Sequence, residues 1–284
     1  MIEALERADR PQYRLHRADI LIRIRYDTMT RLALLQISPS GPIAMIGADL
    51  RAQIMPLRAL GVDIVLLPEL ILPGYNQSKA HRDLAEEIDG ASCRAMAALA
   101  RECGLAIAYG WAERAGDVVY NAASLIDAQG RRIGHYRKLQ LFGALERDSF
   151  VPGTEAPEVF DFGGHRIGLL ICYDIEFPEH VRAVARQGCD LLLVPTANPS
   201  GFEHVQDLLV PARAYENRLT LAYANYAGPD GDIHFGGRSL IAGPDGKALA
   251  AAGIAPATLI VDLPDVQSYQ AELLSTQLAD LRQP

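Results

Sequence analysis

An α/β domain is the fold class this sequence predicts, and three observations predict it. Short, continuous apolar runs recur along the chain, helical periodicity fills the stretches between many of them, and compact turn signals separate the remainder. The 284 residues suffice for one large domain or two ordinary ones. No low-complexity linker and no short-period repeat divides them, so one domain is expected.

Residues 1–28 stand apart, rich in Arg and acids with little periodicity, and are expected to form an extension outside a domain spanning 29–284. The run beginning at Met29 predicts a buried first strand over 31–37. A helix over 43–60 and a strand over 62–67 (Val-Asp-Ile-Val-Leu-Leu) follow. Next come a helix over 80–103 and strands over 105–111, 118–127 and 132–137, the last two joined through Gln129-Gly130. A strand over 166–171 leads to a helix over 178–187, which Pro178 opens and Gly188 stops. The chain continues through a strand over 190–194, a helix over 203–217, and strands over 219–224, 237–242 and 257–262. Asp245-Gly246 marks a hairpin between 240–242 and 247–250, and a last helix is expected over 265–273. This mixture implies largely buried sheets with helices packed outside them.

Hydrophobic residues make up 49% and charged residues 22%, a balance that argues against disorder. The formal charge of −8 and the absence of a basic stripe argue against a nucleic-acid partner and for a small molecule. No apolar run approaches the roughly 18–20 residues of a membrane span, so no membrane partner is expected. The N-terminus lacks the apolar core of a secretory signal. The four cysteines (93, 103, 172 and 189) do not suggest a disulfide scaffold, and reduced thiols in a cytoplasm are the simpler reading. None has metal-site spacing, so no metal is expected.

Three segments place reactive side chains where a buried strand ends, the position at which a sheet can fix a catalytic group. In Arg166-Ile-Gly-Leu-Leu-Ile-Cys172 an apolar strand delivers a thiol, which is useful when a neighbouring base or cation promotes its ionisation. Read alone, Cys172 is equally well a small buried hydrophobe. In Val62-Asp-Ile-Val-Leu-Leu-Pro68-Glu69 a carboxylate follows a buried strand between apolar neighbours, where burial would raise its pKa toward that of a general base. In His135-Tyr136-Arg137-Lys138 strand alternation puts Lys138 and Tyr136 on one face and Arg137 and His135 on the other. An ammonium beside a thiol is suited to holding an oxyanion, and Glu146 is suited to orienting it or to accepting a proton from the nascent amine. An isolated surface lysine and a solvated acid are the plain alternatives for those two residues.

Together these segments resemble the nitrilase superfamily of carbon–nitrogen hydrolases, known by a Glu-Lys-Cys triad with a second Glu often following the Lys. The matching stretches are Pro68-Glu69, Tyr136-Arg-Lys138-Leu-Gln-Leu-Phe142 and Leu170-Ile-Cys172-Tyr-Asp-Ile-Glu-Phe-Pro-Glu179. Val194-Pro-Thr-Ala-Asn198, Arg213-Ala-Tyr-Glu-Asn217 and Gly243-Pro-Asp-Gly246 also match, and the resemblance runs from about residue 29 to the C-terminus. It implies a four-layer α-β-β-α sandwich assembled as a homodimer or higher oligomer, working without metal or organic cofactor. It implies Glu69 as base, Cys172 as nucleophile forming a thioester, and Lys138 with the Tyr173 N–H as oxyanion donors.

Within the superfamily, Gly74-Tyr75-Asn76, Tyr109-Gly110-Trp111, Leu141-Phe142-Gly143 and Tyr223-Ala-Asn-Tyr226 look most like bacterial aliphatic amidases. Relatives that bind substrate carboxylates often carry Arg four residues beyond the nucleophile, where this chain has Glu176. An acid there favours neutral or cationic amides over N-carbamoyl amino acids or dicarboxylic monoamides. Glu176 is also suited to capping the following helix. Asn198, Tyr75 and Tyr173 are expected to line the pocket, and Arg213 and Glu216 to pair at i, i+3. Nitrile hydrolysis, N-carbamoyl amide hydrolysis and acyl transfer use the same triad and stay open. So does a Cys–His enzyme built on His135 or His180, or a noncatalytic scaffold.

Overall fold

The computed structural model describes residues 29–39, 43–77 and 80–282. The expected extension over 1–28 lies outside the described residues.

Two six-stranded mixed sheets pack face to face. The first runs in the order β14-β1-β2-β3-β4-β5. Its strands are β1 (Arg31–Gln36), β2 (Ile64–Leu66), β3 (Ala106–Ala115), β4 (Val118–Ile126), β5 (Arg132–Arg137) and β14 (Ala257–Asp262). The second runs β13-β12-β9-β8-β7-β6. It contains β6 (Val159–Phe162), β7 (His165–Leu169), β8 (Leu191–Pro195), β9 (Thr220–Ala224), β12 (Leu240–Ala242) and β13 (Ala248–Ala251). In each, three central strands are parallel (β1-β2-β3 and β7-β8-β9) and the outer strands are antiparallel. The two sheets therefore share one topology.

Helices cover the outer faces. On the first sheet lie α1 (Ile43–Ile54) and α2 (Ala91–Cys103); on the second, α4 (Pro178–Arg186) and α5 (Val210–Asn217), with α3 (Gly143–Ser149) near the strand ends. Strand β1 shows why the apolar runs are unbroken. Leu32 and Leu34 face the second sheet's Ile167, Leu169, Leu191 and Leu193. Ala33 and Leu35 meet Leu50, Ile54, Met96 and Leu99 of the helices. Both faces are buried, so alternation disappears. Pro178 stands at the start of α4, which buries Val181, Val184 and Ala185 as an i, i+3, i+4 stripe.

Several expectations needed correction. The helix over 80–103 is broken into a turn at His81–Leu84 and α2, because the Glu86 carboxylate turns back to accept the Ser92 N–H (2.6 Å) and O–H (2.7 Å) at the start of α2. The stretch 265–273 holds two separate 3₁₀ turns, Val266–Ser268 and Ala271–Leu273. The stretch 203–217 starts as a π-turn, Val205–Leu209, before α5. Strand β6, helix α3 and the hairpin of β10 (Ala227–Asp230) and β11 (Ile233–Gly236) had no counterpart in the sequence reading. Among the described residues, no helix is long and apolar enough to cross a membrane.

Candidate active site

The middle strand β2 ends at Leu66, and three residues later Glu69 is held on both backbone sides. Its N–H donates to Thr196 O at 3.3 Å and its carbonyl accepts from Tyr226 Oη at 3.0 Å. Gly110 of β3 passes so close that a Cβ there would stand 2.4 Å from Leu70 N and 2.7 Å from Glu69 Cα. The carboxylate is completely buried. Its Oε1 accepts from Lys138 Nζ at 2.6 Å and Asn121 Nδ2 at 2.7 Å, while Oε2 has no partner among the described residues. Burial pushes the Glu69 pKa up to about 7, against the pull of the Lys138 charge and with the help of Glu146.

Lys138 follows β5 directly, with its N–H bonded to Asn121 O and its carbonyl to the Gly153 N–H, both at 2.8 Å. The ammonium is fully buried, which alone would lower its pKa. Glu146 and Glu69 outweigh that cost and hold the lysine well above its ordinary value. Glu146 stands in the first turn of α3, its Oε1 2.7 Å from Lys138 Nζ. That oxygen also accepts from Tyr75 Oη at 2.9 Å, and Oε2 accepts the Phe142 N–H at 3.0 Å. Lys138 is thus clamped between two carboxylates.

Cys172 lies three residues past β7 and opens a 3₁₀ turn, Cys172–Glu176. Its φ of 44° is in the left-handed region, a conformation L-residues hold only when surroundings impose it. Burial raises the thiol pKa, Glu69 and Glu146 raise it further, and Lys138 opposes them. These charges place Cys172 in the field of the same three side chains.

Tyr136 and Lys138 face the interior as alternation predicts, while His135 and Arg137 both engage Glu113 on the other face. His135 also meets Ser124 (3.1 Å) and His180 meets Gln140 (3.1 Å), so neither imidazole pairs with Cys172. Tyr75 is buried against Phe235; half-buried Tyr173 packs edge-on with Phe142 and Phe177. The cap position of α4 is Phe177 and carries no side-chain cap, so the capping role considered for Glu176 is not realised. Glu176 is half-buried instead, and burial raises its pKa against the influence of His204 and Lys138. Arg213 pairs with Glu216 at 3.2 Å as expected, and also grips the Ile175 and Glu176 carbonyls at 3.0 and 2.9 Å. Asn198 donates its Nδ2 to Phe202 O and Gln206 Oε1, both at 3.1 Å, and so braces a loop.

Sequence reasoning missed Asn121, Asp174 and Tyr226. Asn121 had a readable signal, a lone carboxamide inside an apolar strand, since a buried amide must find a partner.

With this geometry in view, a family model described as carbon–nitrogen hydrolase matches residues 13–271. The chain belongs to the carbon–nitrogen hydrolase family. It is 42% identical over 254 residues to the "Hydrolase in pqqF 5'region" of Pseudomonas protegens, covering 89% of each chain. It is 33% identical to an (R)-stereoselective amidase of Pseudomonas sp, covering 71% of this chain and 73% of that one. A double mutant of an amidase from Nesterenkonia sp. AN1, solved with acrylamide, superposes with a TM-score of 0.80 at 36% identity, covering 87% of this chain and 96% of that one. A structure of a mutant of that amidase, with one glutamate replaced by glutamine, shows covalent addition of the acetamide moiety of fluoroacetamide at its active-site cysteine. The protein is a hydrolase acting on carbon–nitrogen bonds other than peptide bonds, and its fold is the α-β-β-α sandwich of this family.

Proposed function

We propose that the protein is an amidase that hydrolyses a small aliphatic carboxamide, neutral or cationic, to the acid and ammonia through a thioester on Cys172. The observation that carries this reading is the buried Lys138 ammonium held by Glu69 at 2.6 Å and Glu146 at 2.7 Å, acting on the Cys172 thiol.

Each part has a chemical role. Raised by burial, the Cys172 thiol keeps its proton at neutral pH, so attack needs a base. Glu69, with a pKa of about 7 and an unpaired Oε2, suits that task. As Cys172 Sγ bonds to the amide carbon, the thiol proton passes to Glu69. The carbonyl oxygen takes up the negative charge and is stabilised by the Lys138 ammonium and the Tyr173 N–H. Glu69 then returns the proton to the departing nitrogen, and ammonia leaves a thioester. Water that loses a proton to Glu69 cleaves the thioester, releasing the acid and restoring the thiol. Glu146 fixes Lys138, and Tyr75 fixes Glu146.

Glu176 supports the substrate class. Its half-buried carboxylate accepts no hydrogen bond among the described residues, and its negative charge would attract an ammonium group and repel a carboxylate. Tyr173 and Tyr75 are assigned to the pocket wall.

Ammonia release from a panel of 5-aminopentanamide, butyramide, succinamic acid, an N-carbamoyl amino acid and an aliphatic nitrile tests the reading. 5-Aminopentanamide and butyramide should be turned over by the wild type, ahead of succinamic acid, and not by Cys172→Ala. Full activity in that variant, or preference for the nitrile, would overturn it.

A further inference from the structure

We infer that Asp174 is a positioning residue that locks the turn carrying Cys172 to the segment carrying Lys138. The inference rests on the roles just given to those two residues. Asp174 is fully buried and stands two residues beyond the nucleophile. Its Oδ2 accepts the Ile171 N–H at 3.1 Å and the Tyr136 O–H at 3.0 Å, and its Oδ1 accepts the Gln140 N–H at 2.9 Å.

The donors fall at telling places. Ile171 immediately precedes Cys172, and Tyr136 and Gln140 flank Lys138 by two residues on either side. One carboxylate therefore ties the backbone before the sulfur to the chain before and after the ammonium. The bond back to Ile171 has the form of the return arm of a capping box, from a side chain three residues ahead. It braces a turn whose first residue, Cys172, has a φ of 44° that a non-glycine residue leaves when released.

A carboxylate offers acceptors to all three donors at once, with no hydrogen of its own to place. A carboxamide of the same shape has one accepting oxygen, and its NH₂ must confront at least one of the two backbone N–H groups. Asp174 does not reach the reacting atoms through any of these bonds. Its effect is to set the distance between nucleophile and oxyanion donor, which governs turnover more than substrate capture.

The test compares wild type, Asp174→Asn and Tyr136→Phe for kcat and KM, with the rate of iodoacetamide alkylation at Cys172 as an independent readout. Asp174→Asn should lower kcat by about 10²-fold, as expected for misplacement of about 1 Å, with KM little changed. Its Cys172 alkylation rate should shift severalfold. Tyr136→Phe keeps the carboxylate and both N–H bonds, so it should lose kcat by a smaller factor. Wild-type kcat and alkylation in a folded Asp174→Asn protein would overturn the inference. Should that variant not fold, Tyr136→Phe decides, a selective kcat loss supporting the inference and wild-type kcat opposing it. Should the wild type release no ammonia from any amide, the amidase reading falls, and the alkylation comparison alone decides the role of Asp174.

Discussion

The Glu69 N–H donates to the Thr196 carbonyl at 3.3 Å, and these two residues are counterparts. Gly61-Val-Asp-Ile-Val-Leu-Leu-Pro-Glu69 and Gly188-Cys-Asp-Leu-Leu-Leu-Val-Pro-Thr196 have the same spacing and lead through the middle parallel strand of each sheet. Asp63 N–H donates to Arg31 O and Asp190 N–H to Arg166 O, each at 2.9 Å. By the same correspondence Arg31-Leu-Ala-Leu-Leu-Gln-Ile37 matches Arg166-Ile-Gly-Leu-Leu-Ile-Cys172. The first half of the chain thus carries the Glu69 carboxylate where the second carries a hydroxyl, and the second carries the proposed nucleophile where the first has buried Ile37.

The position of Glu69 depends on the bare backbone at Gly110. A Cβ there would press on Leu70 N at 2.4 Å, a contact with main chain that no side-chain rotation relieves. Gly110→Ala should destabilise the protein by about 1–3 kcal/mol. It should also reduce kcat/KM at least tenfold, since it displaces the proposed base. Urea denaturation and steady-state kinetics on one preparation check both effects.

Removing Lys138 leaves two carboxylates buried without their shared cation. Lys138→Met should cost about 3–5 kcal/mol of stability, the range for breaking a buried pair. The same variant should lose at least 10²–10³ in kcat through the missing oxyanion donor. Denaturation in urea at pH 7 and single-turnover kinetics separate the two losses.

Glu69 sets a pH signature of definite sign. Its pKa rises from 4.5 to about 7 on folding, so the folded chain holds a proton there that the unfolded chain has released. Asp174, raised by burial to about 6, acts in the same direction. Their contribution to stability is full below the unfolded values and is lost as pH rises through about 6 and 7. Unfolding free energy should therefore fall with pH across that window, and less steeply in Glu69→Gln. Activity runs the other way, because the base is usable only unprotonated: kcat/KM should rise with an apparent pKa near 7, a value belonging to the coupled group.

Much of this was legible in the sequence where burial leaves an unbroken mark. Strands β2 and β8 are apolar on both faces, and Pro178 announces α4. Glu69 and Cys172 stand just beyond apolar runs, where polarity contrasts with the residues before them, whereas Lys138 follows the mixed strand β5 and is marked by alternation instead. Helix α3 gave no signal, because seven residues are too few to show periodicity and its order comes from Glu146 gripping Lys138 and the Phe142 N–H. The β10–β11 hairpin was hidden by Gly228, Pro229 and Gly231, which read as loop. Only the fold reveals Gln206 and Phe202 as partners of Asn198, because neither lies at a spacing that the sequence marks.

Charge preference should respond to Glu176 alone. A full charge at moderate dielectric separates cationic from anionic substrates by a few kcal/mol. Glu176→Gln should therefore lower the ratio of kcat/KM for 5-aminopentanamide over succinamic acid by roughly tenfold or more, with little change for butyramide. An unchanged ratio in competition assays would remove Glu176 from substrate selection.

Intact-mass spectrometry during turnover tests the central claim most directly. Rapid acid quench of the wild type with an aliphatic amide should trap a species heavier by the acyl group minus one hydrogen, mapped to Cys172 and absent from Cys172→Ala. Ammonia release with no such adduct, persisting undiminished in Cys172→Ala, would contradict the account.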